Sequence, residues 1–181
     1  MDFFKNQIQI VLVEIRMSGR LNTMSRLIRS IPKAFDKEVE GTKDCSGVDR
    51  YRKTVSIKEK QMVLSISVID PSDRLSLIME CKTADGVLMV FEMNEFSTFK
   101  IKLQQWPVIK EMTTRTNCQL MLIGNFPRSD EIVIKEQEDA RQLANEWNIP
   151  FFSISCETGE NVNEALNHLT KEIIEKVTKS Y

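Results

Sequence analysis

Five short apolar runs punctuate this chain, and their spacing leaves few folds open to it. Ile8-Gln9-Ile10-Val11-Leu12-Val13, Gly86-Val87-Leu88-Met89-Val90-Phe91 and Gln119-Leu120-Met121-Leu122-Ile123-Gly124 are nearly continuous. Runs of that length are too short for buried helices and suit central parallel strands covered on both faces. Met62-Val63-Leu64-Ser65-Ile66-Ser67-Val68-Ile69 alternates with period two, and Phe151-Phe152-Ser153-Ile154-Ser155 is a fifth run. Amphipathic stretches lie between them. Leu21 to Ser30 carries Met24, Leu27 and Ile28, and Phe99 to Met112 holds Pro107, where a helix is expected to start, kink or split. Lys135 to Trp147 and Val162 to Val177 are cleaner, the last with Val162, Leu166, Leu169, Ile173, Ile174 and Val177 on one face. Strands alternating with helices predict a doubly wound α/β sheet, mostly parallel, with helices on both faces. Ligands of such sheets bind beyond the carboxyl ends of the strands, so the residues after Val13, Ile69, Gly124 and Ser155 are where function is sought.

The 181 residues suffice for one domain with a full core, and a single domain over 1–181 is expected. A formal net charge of -1 gives no electrostatic footprint for nucleic acid or an acidic membrane. No stretch reaches the roughly 18 apolar residues of a membrane span, and the N-terminal residues do not read as a signal peptide. Cys45, Cys81, Cys118 and Cys156 lie far apart without CxxC pairs, as expected of reduced core or loop thiols in a cytosolic protein. His168 is the only histidine and cannot build a zinc site alone.

A family resemblance emerges in the C-terminal half. Ala84-Asp85-Gly86-Val87-Leu88-Met89-Val90-Phe91 followed by Ser97-Thr98-Phe99 resembles a strand and loop of the Ras and Rab small GTPases. Leu122-Ile123-Gly124-Asn125 is similar to the strand leading into their NKxD guanine motif. Ser153 to Val162, reading SISCETGENV, is similar to their ETSAKTGENV segment, and Tyr51-Arg52-Lys53 matches the strand after switch I. These matches run in order along nearly the whole chain. The resemblance implies the G-domain fold, a P-loop NTPase-like sheet of six strands, with GTP or GDP and magnesium as the family's ligands.

Set against that family, four motifs have lost their chemistry. A phosphate loop GxxxxGK[ST] closes backbone N–H groups around phosphates, with lysine on the β and γ phosphates and a hydroxyl on magnesium. The corresponding stretch is Glu14-Ile15-Arg16-Met17-Ser18-Gly19-Arg20-Leu21, where only Gly19 matches, Arg20 keeps a positive charge, and Leu21 cannot ligate a metal. DxxGQ becomes Asp70-Pro71-Ser72-Asp73-Arg74, so Asp70 remains as a magnesium-side carboxylate without the glycine and glutamine that serve hydrolysis. Thr42 is the candidate switch I threonine for magnesium; an exposed loop threonine is the other reading. At the base site Asn125 is kept, Phe126 offers a stacking ring, Arg128 replaces the guanine carboxylate, and Asp130 falls two residues late. Ser155-Cys156-Glu157 stands for SAK, with the Cys156 N–H as the candidate donor to a base oxygen. Asn125 and Ser155 also carry a second reading, as ties between neighbouring loops.

Charge-assisted hydrogen bonds contribute about 1.5–3 kcal/mol each. Losing the magnesium hydroxyl, the guanine carboxylate and two phosphate-loop contacts therefore removes roughly 6–12 kcal/mol, or some four to eight decades of affinity at about 1.4 kcal/mol per decade. Tight magnesium-dependent guanine binding and GTP hydrolysis are not expected. Two functions stay open. One is a pseudo-GTPase interaction module in signalling or trafficking, whose switch-equivalent segments around residues 36–50 and 71–82 meet protein partners without being toggled. The other is an atypical GTP/GDP-binding switch with weak or very slow hydrolysis, using Gly19, Arg20, Thr42, Asp70 and Asn125. No prenylatable cysteine stands at the C-terminal Val177-Thr178-Lys179-Ser180-Tyr181, so a cytoplasmic protein is expected, reaching membranes only through partners or a missing C-terminal segment.

Overall fold

A computed structural model describes residues 7–14, 40–43, 49–57, 60–69, 74–104, 111, 118–126 and 133–179. In chain order these form β1 (Gln7–Glu14), β2 (Glu40–Lys43), β3 (Asp49–Ile57), β4 (Lys60–Ile69) and α1 (Arg74–Thr83). There follow β5 (Gly86–Glu92), a 3-10 turn at Met93–Glu95, α2 (Phe96–Gln104) and β6 (Gln119–Asn125). The chain then runs through α3 (Val133–Glu146), β7 (Phe151–Ile154) and α4 (Val162–Lys179). The sheet order is β2-β3-β4-β1-β5-β6-β7. The stretch β4-β1-β5-β6-β7 is parallel throughout, and β3 and β2 extend it as antiparallel strands at one edge.

Period-two alternation in the central strands sorts the core into two layers. Ile8, Ile10 and Leu12 of β1 face the same side as Leu88, Val90, Met121 and Ile123, where Val162, Ala165, Leu166, Leu169 and Ile173 of α4 cover them. Val11 and Val13 face the other side with Val87, Met89, Leu120 and Leu122, beneath Leu77 and Cys81 of α1, Phe96, Phe99 and Leu103 of α2, and Ala140, Leu143 and Ala144 of α3. Strands covered on both faces have no polar side to show, hence the continuous runs in the sequence. Gly86 leaves room for the side chains of α4: a Cβ there would lie 2.8 Å from the Ile173 Cδ1. Phe91, Phe96 and Phe99 cluster with ring centroids 4.5–5.9 Å apart, two pairs stacked and one tilted, where the chain turns from β5 into α2.

The expected doubly wound α/β architecture is present, but the expected count of six strands is corrected. Five parallel strands carry two antiparallel ones, because Glu40-Gly41-Thr42-Lys43 pairs with β3 along the edge. That tetrapeptide carries no apolar run to mark it in the sequence; its pairing with β3 makes it a strand. The helix expected from Phe99 begins instead at Phe96, where the ring cluster starts, and its described part ends at Gln104, before Pro107. α1 was not anticipated by the pattern of the chain. The helix expected at Leu21 to Ser30 and the position of Cys45 lie outside the described residues. Cys81, Cys118 and Cys156 are buried and form no disulfide. His168 rests its ring on Phe152, centroids 5.3 Å apart. Among the described residues no helix is long and apolar enough to cross a membrane.

Candidate functional site

At the carboxyl edge of the parallel sheet, strand register brings together residues that are far apart in sequence. Glu92, the last residue of β5, pairs with Asn125, the last of β6, and Asn125 pairs with Ile154 at the end of β7. Glu92 continues the alternation of Leu88 and Val90, and Asn125 that of Met121 and Ile123, so both side chains project toward the α4 side. There they meet the loop from β7 to α4. The Asn125 amide Nδ2 donates to both carboxylate oxygens of Glu92, at 3.2 and 3.0 Å. Its Oδ1 accepts the backbone N–H of Cys156 at 2.9 Å. A single buried amide thereby joins the ends of two strands to a loop.

The loop is closed around Ser155, which is fully buried. The Ser155 carbonyl accepts the Gly159 N–H at 2.8 Å, its N–H donates to the Glu160 carbonyl at 3.1 Å, and its Oγ accepts the Thr158 N–H at 3.3 Å. Two left-handed residues make so tight a ring possible, Gly159 at φ 82° and Asn161 at φ 57°. Glycine takes that conformation without penalty, and asparagine is the side chain that tolerates it best. The Asn161 amide Nδ2 also donates to the Ser153 carbonyl at 3.0 Å, holding the start of α4 against β7. Phe126 donates its N–H to the Ile154 carbonyl at 2.9 Å and lays its half-buried ring against the layer beneath α1, α2 and α3. Glu157, where the family has lysine, is exposed.

The sequence-predicted base-side residues Asn125, Ser155 and Cys156 are therefore brought together, whereas Phe126 joins them through its backbone and carries its ring into the opposite core layer. Gly19, Arg20, Asp70, Arg128 and Asp130 lie outside the described residues. Thr42 sits in β2 opposite Arg50 of β3. Among the described residues no group of three or more His, Cys, Asp or Glu side chains is placed to hold a metal ion. Glu92 was missed from sequence. It trails an apolar run and looks like a strand end; only the register with Asn125 reveals it.

A parallel sheet with β1 at its centre, helices on both faces, and an asparagine gathered with the SCETG loop at the carboxyl edge is the architecture of a Ras-type small GTPase. Residues 10–175 match the model of the Ras family, and the chain belongs to that family. It is 32% identical over 136 residues to the Ras-related protein SEC4 of Saccharomyces cerevisiae, a match covering 72% of this chain and 61% of that one. It is 28% identical over 134 residues to the Ras-related protein Rab-13 of Mesocricetus auratus, covering 72% and 64%. With the Ras-related protein Rab-26 of Bos taurus it shares 26% identity over 136 residues, covering 74% and 53%. The chain spans less than two thirds of the length of these relatives.

Proposed function

We propose that residues 1–181 form a single pseudo-GTPase domain, a Ras-family fold kept as a protein-interaction module in signalling or trafficking. One observation carries this reading. The two groups that the family resemblance assigns to guanine, the Asn125 amide and the Cys156 N–H, are hydrogen-bonded to each other through the amide oxygen, and the amide nitrogen donates to a carboxylate. A base entering here must break those bonds and lie beside Glu92. The gain from new contacts is offset by the loss of existing ones. The replacement of the phosphate-loop lysine by Arg20 and of its hydroxyl by Leu21 acts in the same direction. Partners would read the segments around residues 36–50 and 71–82 in one constitutive shape.

The alternative is an atypical GTP/GDP-binding switch with very slow hydrolysis. It draws on family membership and on Asn125, which stands at the sheet edge where doubly wound folds take their ligands.

The nucleotide content of the purified protein, followed by thermal melts with GDP or GTP in the presence and absence of magnesium, separates the two. A ligand at a hundred times its Kd stabilises the folded state by about 2.7 kcal/mol. For a domain of this size that raises the Tm by about 5–10 °C. The pseudo-GTPase reading expects an empty protein and no shift. Stoichiometric guanine nucleotide, or a magnesium-dependent rise of that size, would overturn it.

A further inference from the structure

α1 turns an acid inward. Leu77 and Cys81 are its buried apolar residues, Ala84 just past its end is buried with them, and Glu80 lies on the same stripe, with its side chain only 13% exposed. A carboxylate so placed requires donors, and three strands supply them. Gln9 of β1 donates its Nε2 to the Glu80 Oε2 at 2.9 Å. Ser67 of β4 donates its hydroxyl to the same oxygen at 3.0 Å. Arg50 of β3 donates its Nη2 to the Oε1 and forms an ion pair with the carboxylate. Arg50 and Ser67 are register partners, so they rise on one face of the sheet and reach the helix side by side. Arg50 is also the register partner of Thr42, which ties β2 into the same assembly.

Arg50 belongs to the first of the two switch-equivalent segments and Glu80 to the second. We propose that the Arg50–Glu80 ion pair is an internal clasp that locks these segments together, doing within the chain what a bound nucleotide would otherwise be needed to do. The inference rests on the pseudo-GTPase reading. It makes the surface presented by β2, β3 and α1 a single constitutive unit whose integrity depends on Glu80, with no ligand in the coupling.

Hydrogen exchange on the full chain tests the clasp, followed segment by segment in Glu80→Gln, Arg50→Lys and the charge-swapped double variant Arg50→Glu/Glu80→Arg. Glu80→Gln keeps the shape and one acceptor but removes the charge. Its amides are expected to exchange about tenfold faster in α1 and in β2–β3 together, equivalent to about 1.4 kcal/mol. Those of β5 and β6 stay at the wild-type rate. Arg50→Lys is expected to show a smaller rise in both segments, because a point charge replaces the guanidinium fork. The swapped pair restores both toward wild type. Faster exchange in α1 alone, or a swap that restores neither segment, overturns the clasp. So does a uniform rise across the whole sheet in every variant, which would make Glu80 a general stability residue. A parallel set with millimolar GTP and magnesium keeps the two readings separable. Nucleotide-induced protection of both segments sinks the pseudo-GTPase reading, whereas loss of coupling among the variants sinks only the clasp.

Discussion

Replacing Asn125 by alanine tests whether the polar cluster at the sheet edge is a structural tie or a ligand site waiting to be filled. The residue is 9% exposed, and its side chain donates to the Glu92 carboxylate while accepting from the Cys156 N–H. A hydrogen bond to a charged group contributes about 1.5–3 kcal/mol and a neutral one about 0.5–1.5, so Asn125→Ala should cost about 2–4 kcal/mol. At about 2–4 °C per kcal/mol for a chain of this length, the Tm falls by about 5–15 °C. The assay is urea unfolding in nucleotide-free buffer, with Tm followed in parallel. Glu92→Gln retains an acceptor for the amide and should cost less than about 1 kcal/mol. Asn125→Asp keeps an acceptor for Cys156 but sets two carboxylates against each other, and should cost at least as much as alanine. A double-mutant cycle of Asn125→Ala with Glu92→Ala is expected to return about 1–2 kcal/mol of coupling. The tie is refuted if Asn125→Ala changes nucleotide-free stability by less than about 0.5 kcal/mol, the scale of a neutral surface change. A deficit that emerges only with GDP and magnesium present would assign the amide to a nucleotide instead.

Three further outcomes follow from the geometry. Phe91→Ala removes the ring that stacks on Phe99 and packs at a tilt on Phe96, and should cost about 3–5 kcal/mol in urea unfolding, where a loss under about 1.5 would mean that α2 is held by something else. Gly159→Ala should cost about 1–2 kcal/mol through backbone strain alone, since a Cβ there meets nothing within 4 Å; Gly159→Asn should cost visibly less, and equal costs would point to a steric cause. Cys81, Cys118 and Cys156 are buried, so site-mapped thiol labelling should modify them only at the rate of opening; rapid labelling of Cys156 in the native protein would contradict the closed loop around Ser155.

The parts of the fold that were legible in the sequence are those buried on both sides. β1, β5 and β6 announce themselves because their runs are buried between two layers of helices, and α4 because its inward stripe is unbroken from Val162 to Ile173. β2 is invisible because edge pairing uses backbone groups and asks nothing of side chains. α1 was hidden for a different reason. Its inward stripe of Leu77 and Cys81 contains Glu80, while Leu75 and Met79 are exposed, so apolar residues fall on both faces and the helical period is blurred.

The candidate site divides along the same line. Asn125, Ser155 and Cys156 were found because a motif of contiguous residues carries them; Glu92 and Glu80 were not, because each owes its role to a partner on another strand. Yet an acid inside an apolar stripe is a signal of its own. Burying a carboxylate without donors is prohibitively costly, so its presence predicts polar groups opposite it. Gln9 interrupts the run of β1, and Ser65 and Ser67 are buried polar residues in β4. Taken one at a time these look like imperfect strands. Taken with Glu80 of the helix that crosses them, Gln9 and Ser67 are the donors its carboxylate demands, and Arg50 completes the set from β3. Matching each inward acid to the polar interruptions of neighbouring strands is therefore how such a tie can be sought before any coordinates exist.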